Sequence, residues 1–128
     1  MERIERAVKD DICRKIPQLR PHARLIPYLS LHEYEGLLFS DPESFARSLG
    51  QPRLANQFHQ VRNEFPTPED INDDPATAPS KRVIGMYPAY KKVIDGTLAA
   101  RLVGIDRMRQ ECAHFRDWVR QLETLPEL

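Results

Sequence analysis

Three potential metal ligands lie close together in the segment HEYE, residues 32–35. His32, Glu33 and Glu35 combine an imidazole with two carboxylates, a donor set that suits Mg²⁺ or Mn²⁺. The segment follows a predicted strand and opens a predicted helix, and open α/β sheets bind ligands at such carboxyl ends of strands. The spacing therefore indicates a metal site. The alternative is structural, with the two glutamates complementing a helix N-terminus and His32 capping it.

A second candidate site is the segment TAPSKR, residues 77–82, which is predicted to open a helix after a proline. Free backbone N–H groups, the helix dipole and the side chains of Ser80, Lys81 and Arg82 together favour a bound phosphate. The segment lacks the glycines of a P-loop, so nucleotide binding of that type is not predicted. A capped surface helix is the alternative interpretation.

Other reactive residue types do not form a recognisable constellation. The acidic segment EDINDD, residues 69–74, lacks the ligand spacing of an EF-hand and is interpreted as a loop whose acids cap helices. Cys112 and His114 have no second cysteine pair nearby, so zinc is not predicted. No nucleophile elbow, CxxC or GxGxxG pattern is present. The two cysteines, Cys13 and Cys112, fit a reducing cytoplasm rather than a disulfide framework.

The amino-acid composition indicates the broad class of protein. The 128 residues, 41% of them hydrophobic, suffice for a single domain over residues 1–128 with one core. Equal numbers of basic and acidic residues, 19 each, exclude a uniformly basic nucleic-acid binder but not a local basic patch. No apolar run is long enough to cross a membrane, and the N-terminus does not have the pattern of a signal peptide. We therefore expect a cytoplasmic protein without membrane contact.

The hydrophobic pattern predicts mostly helices, separated by several of the 11 prolines. A Pro-rich acidic loop is expected over residues 65–80, with one short helical turn at Pro68–Ile71. The last helix, or broken pair of helices, has apolar residues at steps of three and four from Ile105 to Leu122. Helices are predicted near residues 2–15, 41–50, 52–64, 79–86, 95–104 and 105–122, and one strand at residues 24–31.

The single predicted strand, RLIPYLSL, has no partner in the rest of the chain. Because backbone groups of a strand need hydrogen-bond partners, either another chain pairs with it or the domain is incomplete. We therefore expect an exposed strand edge or apolar patch around Leu25–Leu31, unless the helix at residues 2–15 folds back over it.

Several segments in fixed order resemble the bacterial family catalogued as domain of unknown function 4276. They are LIPYLSLHEYEGLLFSDP, PEDINDDPATAPSKR, YKKVIDG and GIDRMRQECAHFRDWVRQLE, and the resemblance is weaker before residue 20. This family looks like a divergent Toprim domain, often encoded beside an ATPase in phage-defence pairs. The resemblance implies a Rossmann-like fold that binds Mg²⁺ through a Glu and an Asp-x-Asp pair, and that cuts or joins nucleic-acid phosphodiesters.

The chain departs from the family pattern in its N-terminal half. The segment with the Glu motif and the Asp-x-Asp pair is absent, and no two aspartates lie two residues apart. The resemblance thus implies an α/β or mainly α chain, the predominantly helical C-terminal portion of a Toprim-like or Rossmann-like domain, with one or two strands. His32, Glu33 and Glu35 match an HEFE-like motif, and Ser80, Lys81 and Arg82 match a PSKR motif. Later family motif positions without an assigned role are Tyr90, Lys92, Cys112, His114, Phe115 and Trp118.

Two functional hypotheses follow. In the first, the chain is part of a metal-dependent nuclease-type protein, inactive alone, in which Glu33 and Glu35 complete a Mg²⁺ site begun by a missing N-terminal half. Lys81 would then stabilise charge on the scissile phosphate of a nucleic acid, and Arg82 would position it. In the second, the chain is a non-catalytic module whose C-terminal helix binds a partner such as the ATPase.

Overall fold

A computed structural model describes residues 2–30, 32–71 and 74–125. Within these ranges the chain forms α-helices joined by short 3-10 turns, and no strand. The predicted mainly helical class is therefore confirmed. No described helix is long and apolar enough to cross a membrane. The helices are α1 (Glu2–Lys15), α2 (Pro21–Arg24), α3 (Glu35–Leu38), α4 (Pro42–Ser48), α5 (Ala55–Asn63), α6 (Pro79–Met86), α7 (Lys92–Val103), α8 (Ile105–Glu111) and α9 (Ala113–Glu123).

Local capping signals place several helix ends where the sequence predicts them. Asp41 accepts a hydrogen bond from the backbone N–H of Ser44 at 3.0 Å, and Pro42 occupies the first position of α4. Gly50 follows α4 with φ 65°, and Gly104 separates α7 from α8 with φ 80°. Both glycines take a left-handed backbone conformation that is costly for other residues, so the predicted stops are confirmed.

The core is built around three aromatic rings, two pairs of which meet edge to face. Phe39, Phe45 and Phe58 are fully buried, with ring centroids 4.7 to 5.5 Å apart. They join α4 and α5, and α7 packs against α4 on another side. The C-terminal periodic stripe also turns inward: Met108, Cys112 and other apolar residues of α8 and α9 belong to the buried cluster. The middle of that stripe therefore belongs to the core, whereas its two ends, Ile105 and Leu122, are exposed.

The predicted strand at residues 24–31 is not found in the described residues. Helix α2 ends at Arg24, and residues 25–30 run without sheet pairing. Glu5 of α1 accepts a hydrogen bond from the N–H of Leu29 at 2.6 Å, and the indole of Trp118 donates to the carbonyl of Ile26 at 3.1 Å. Side chains thus supply partners for these two backbone groups, since no second strand is available in the described ranges.

Helix α1 matches its predicted bounds but not its predicted face. Ile4 is 52% exposed and Val8 is 44% exposed, although helical spacing predicts them to face inward. Cys13 is the buried residue of this helix. Periodicity identifies the helix, but only the tertiary structure determines how much of its apolar stripe is covered.

Helix α7 carries several exposed apolar side chains. This helix begins at Lys92, three residues before the predicted cap Asp95. The Asp95 carboxylate instead accepts a hydrogen bond from the backbone N–H of Lys91 at 2.6 Å. One side of α7, with Gly96, Ala99 and Val103, is buried. Other apolar residues of α7, here called the α7 face, are exposed: Val93 (81%), Ile94 (58%), Leu98 (48%) and Leu102 (45%). Ile105, the first residue of α8, is also exposed (59%).

The close approach of α7 to the segment before α3 depends on Gly96. A Cβ atom built there would lie 1.7 Å from the Tyr34 hydroxyl and 2.9 Å from the Tyr90 hydroxyl.

We predict that Gly96→Ala lowers the free energy of unfolding by about 1–3 kcal/mol, because over-packing outweighs the gain in helix propensity. Gly85→Ala is the control, since Gly85 lies in a helix with nothing within 4 Å of its Cβ position. It should be neutral or stabilising in urea unfolding, and equal losses in both variants would contradict the prediction.

Candidate functional site

The structure brings the two glutamates of HEYE onto one ammonium group. Glu35 is the first residue of α3, Glu33 lies just before it, and Lys92 is the first residue of α7. Lys92 Nζ lies 3.5 Å from Glu33 Oε1 and 3.0 Å from Glu35 Oε2. These three residues, with Ser80 and Tyr90, are called the carboxylate site. Two anions and one cation therefore share a single space between α3, α6 and α7.

Glu35 is the residue of the carboxylate site whose charge is the most costly to bury, because its side chain is fully buried (0% exposed). The Tyr90 hydroxyl donates to Glu35 Oε1 over a long 3.4 Å. Oε2 has no hydrogen-bond partner of good geometry among the described residues and makes only the ion contact with Lys92. A buried carboxylate without compensation is costly, so Lys92 is the group that makes this burial tolerable.

The surroundings of Glu35 alter the ionisation of its neighbours. Burial raises the pKa of Tyr90, and the Glu35 charge raises it further. For Lys92, burial acts to lower the pKa, but the hydrogen bond and charge of Glu35, with a contribution from Glu33, outweigh it and raise the pKa. Tyr90 thus stays neutral and Lys92 stays charged at neutral pH, as the carboxylate requires.

Glu33 joins the carboxylate site to the N-terminus of α6. Its Oε2 accepts a hydrogen bond from the backbone N–H of Ser80 at 2.8 Å. Burial opposes ionisation, but hydrogen bonds from Ser80 and the charge of Lys92 outweigh it and lower the pKa of Glu33. The helix N-terminus predicted to bind a phosphate therefore holds a carboxylate of the same chain. This matches the capping interpretation of both motifs, with the difference that Glu33 caps α6 and not its own helix.

The predicted cations Lys81 and Arg82 are not the ones at the carboxylate site. Arg82 pairs with Glu64 at 2.9 Å, donates to the carbonyl of Thr77 at 2.8 Å, and lies over the ring of Phe65. Lys81 is exposed, and no ion pair to it is found in the described ranges. The cation that contacts both glutamates is Lys92. Lys92 lies in the segment YKKVIDG, where the family resemblance marks it as a motif position without an assigned role.

The residues present do not by themselves fit a Mg²⁺ site. His32 is partly exposed, and the described residues contain no group of three or more His, Cys, Asp or Glu side chains that could hold a metal. Glu33 and Glu35 offer carboxylate oxygens, yet both already contact Lys92, whose single positive charge offsets one of the two negative charges. A metal ion there would need further ligands from another polypeptide segment, and its role stays a prediction.

The remaining motifs have structural partners. Glu69, from the acidic loop, accepts hydrogen bonds from the backbone N–H groups of His114 and Phe115 at the start of α9. His114 Nε2 lies 2.8 Å from Glu5, and Cys112 Sγ lies 3.4 Å from the Ser40 hydroxyl. Burial raises the pKa of the Cys112 thiol to about 12, so it is not a reactive thiolate.

Comparison with known families identifies the chain at the level of a family. The family model described as Domain of unknown function (DUF4276) matches residues 1–123, so the chain belongs to this family. The match includes the first 20 residues, where the resemblance seen in the sequence is weaker. Comparisons with curated proteins and with solved structures returned no match.

The ion pair between Lys92 and Glu35 gives a direct test of the carboxylate site. Lys92→Met should lower the free energy of unfolding by about 2–3 kcal/mol, because it leaves the buried Glu35 charge without compensation. Adding Glu35→Gln to Lys92→Met should recover part of that loss, which a double-mutant cycle in urea would measure as coupling. Lys91→Met is the matched control and should change stability by no more than about 0.5 kcal/mol. Equal losses of unfolding free energy in Lys91→Met and Lys92→Met would refute the assignment of Lys92 as the counter-ion of Glu35.

Proposed function

We propose that this chain is a protein-interaction module that binds a partner through the α7 face. The observation that carries the proposal is the exposure of four apolar side chains along α7, a helix that is already buried on its other side. A helix with apolar residues on all sides is normally covered on all sides, and large exposed apolar patches rimmed by polar residues mark interaction surfaces.

The proposal moves the docking element away from the C-terminal helix that the sequence suggested. The middle of the stripe of α8 and α9 packs into the core, where Met108, Cys112 and Phe115 are buried. The outer side of α7 has no comparable cover in the described part of the chain. The expected partners, an ATPase encoded nearby or an N-terminal half carried by another polypeptide, are thus candidates for the same surface.

A second candidate function is the metal-dependent, nuclease-type activity of a Toprim-like protein to which this chain contributes the C-terminal portion. The observation that favours it is the position of the carboxylate site at the N-terminal end of α7, because Lys92 is the first residue of that helix. A partner on the α7 face would lie beside Glu33 and Glu35 and could bring further metal ligands. In this proposal the chain is inactive alone.

The docking proposal is tested by photo-crosslinking in the source cells, with a photoreactive side chain at Leu98 and, as a control, at Ile4 of α1. A partner captured from position 98 and not from position 4 is purified, and its affinity for the chain is measured. Leu98→Asp should weaken binding at least tenfold, about 1.4 kcal/mol, while Ile4→Asp leaves it unchanged. Both variants should keep stability within about 0.5 kcal/mol, since both side chains are half exposed.

The docking proposal fails if position 98 yields no specific crosslink, or if Leu98→Asp binds the captured partner as tightly as the unaltered chain. A large loss of stability in Leu98→Asp would also contradict it, since that outcome gives Leu98 a structural role in the isolated chain.

The second candidate is tested with the purified complex, labelled DNA and RNA, and Mg²⁺. The chain alone should show no cleavage, whereas the complex should cleave and Glu33→Gln should reduce the rate at least about tenfold without changing complex affinity. Glu64→Gln is the control, because Glu64 is also an exposed glutamate paired with a cation, Arg82. A complex that never cleaves, or that cleaves equally with Glu33→Gln, would exclude the metal role.

A further inference from the structure

We infer that residues 25–30 form an unpaired backbone edge, which takes up an extended segment of another polypeptide as a neighbouring β-strand. This interaction is separate from the α7 face and does not depend on it. Its grounds are the backbone conformation of these residues, the backbone groups that lack partners, and the groove beside them.

The backbone of residues 25–30 is already extended. Helix α2 ends at Leu25, which has φ −107° and ψ 118°, a conformation of the β region. Pro27 disfavours a helical conformation at Ile26, and no helix, turn or bend interrupts residues 25–30. A pairing strand therefore meets a segment that needs little rearrangement.

Few backbone groups of this segment are hydrogen-bonded. After Leu25 its partners among the described residues are side chains, the Glu5 carboxylate at one N–H and the Trp118 indole at one carbonyl. The N–H groups that have no partner there are those of Ile26, Tyr28 and Ser30. Unpaired groups along an extended segment are the template on which a strand of another chain is added.

The two sides of the extended segment differ in what they offer. Successive residues of a strand direct their backbone groups to opposite sides. On the side shared by Pro27 and Leu29, the proline has no N–H and the leucine N–H is taken by Glu5. On the other side, the N–H groups of Tyr28 and Ser30 are without partners in the described ranges. Strand addition is therefore expected through Tyr28 and Ser30.

A groove lies beside Tyr28 and Ser30. It has a volume of about 300 Å³, and its lining includes Thr67, Asp70 and Ala113. Neighbouring strands lie about 4.8 Å apart, so pairing needs open space directly beside the edge, and the groove supplies it. A helix would not satisfy the edge, because the backbone groups of a helix are bonded internally. An extended segment brings free N–H and C=O groups.

The test titrates the full chain with a short peptide in which valine alternates with threonine and which has a lysine at each end. Two-dimensional NMR follows the backbone amides of the chain. The amide protons of Tyr28 and Ser30 should shift downfield and exchange with solvent at least about tenfold more slowly, because they enter hydrogen bonds. The Leu29 amide, already bonded to Glu5, should change least.

N-methylation of the peptide distinguishes strand pairing from other modes of binding. A peptide methylated at alternate residues keeps one free edge and should bind nearly as tightly as the parent peptide. A peptide methylated at every residue has no free edge and should bind at least about tenfold more weakly. Equal affinities of the two methylated peptides would overturn the inference.

Ser30→Pro supplies the matching change in the chain, because it removes an N–H without a partner in the described residues. It should weaken peptide binding at least about tenfold, whereas Ser30→Ala, the control, should leave it unchanged. Both variants lose the hydrogen bond from the Ser30 hydroxyl to the carbonyl of His32, so this loss cannot explain a difference between them. Equal affinities of the two variants would contradict the inference.

The remaining outcomes also decide the inference. Amides of Tyr28 and Ser30 that do not respond to millimolar peptide would overturn it. If the same amides shift with the concentration of the chain alone, the edge pairs with a second copy and the inference fails. Leu98→Asp should leave the titration unchanged, because a loss of binding there would place the peptide on the α7 face.

Discussion

The buried carboxylate of Glu35 is the constraint around which the rest of the carboxylate site is arranged. With no exposed surface and no well-formed hydrogen bond to Oε2 in the described residues, this charge is tolerated through its contact with Lys92. Lys92 is also the first residue of α7, so the same ion pair ties the start of α7 to α3. Through Glu33 the connection continues to the N–H of Ser80 at the start of α6. These contacts of Glu33, Glu35 and Lys92 thereby link three helices that are far apart in sequence.

Distant carboxylates replace local caps at two helix N-termini. Glu33 reaches α6 from the segment before α3, and Glu69 reaches α9 from the proline-rich loop. Each satisfies backbone N–H groups that a helix leaves without an internal partner, and each complements the helix dipole. Glu33, from the motif that suggested a metal site, and Glu69, from the loop whose acids are predicted to cap helices, thus have a structural role within the chain.

Helix α7 combines two surfaces that need different neighbours. Its inner side packs tightly enough that Gly96 lies against the hydroxyls of Tyr34 and Tyr90. Its outer side is apolar and open along its length. The close approach at Gly96 thus determines which side of α7 faces the core and which side stays open.

Local information in the sequence identified most of the helices and several of their ends. Asp41, Pro42 and Gly50 bound α4 through interactions within a few residues, and Gly104 ends α7 for the same reason. The mainly helical class and the DUF4276 family could also be recognised from the residues alone. These features depend on backbone conformation and short spacing, which a linear pattern contains.

Tertiary structure alone decided what the helices and charged motifs contact. The run at residues 24–31 has strand-like composition, yet Glu5 and Trp118 provide backbone partners that no local pattern reveals. Lys92 is 57 residues from Glu35, and the pattern favoured Lys81 and Arg82 because they share a motif. Which side of α7 is buried also depends on its contact with Tyr34, far away in the chain. Burial and ion pairing are properties of residues brought together by folding, so sequence spacing could not determine them.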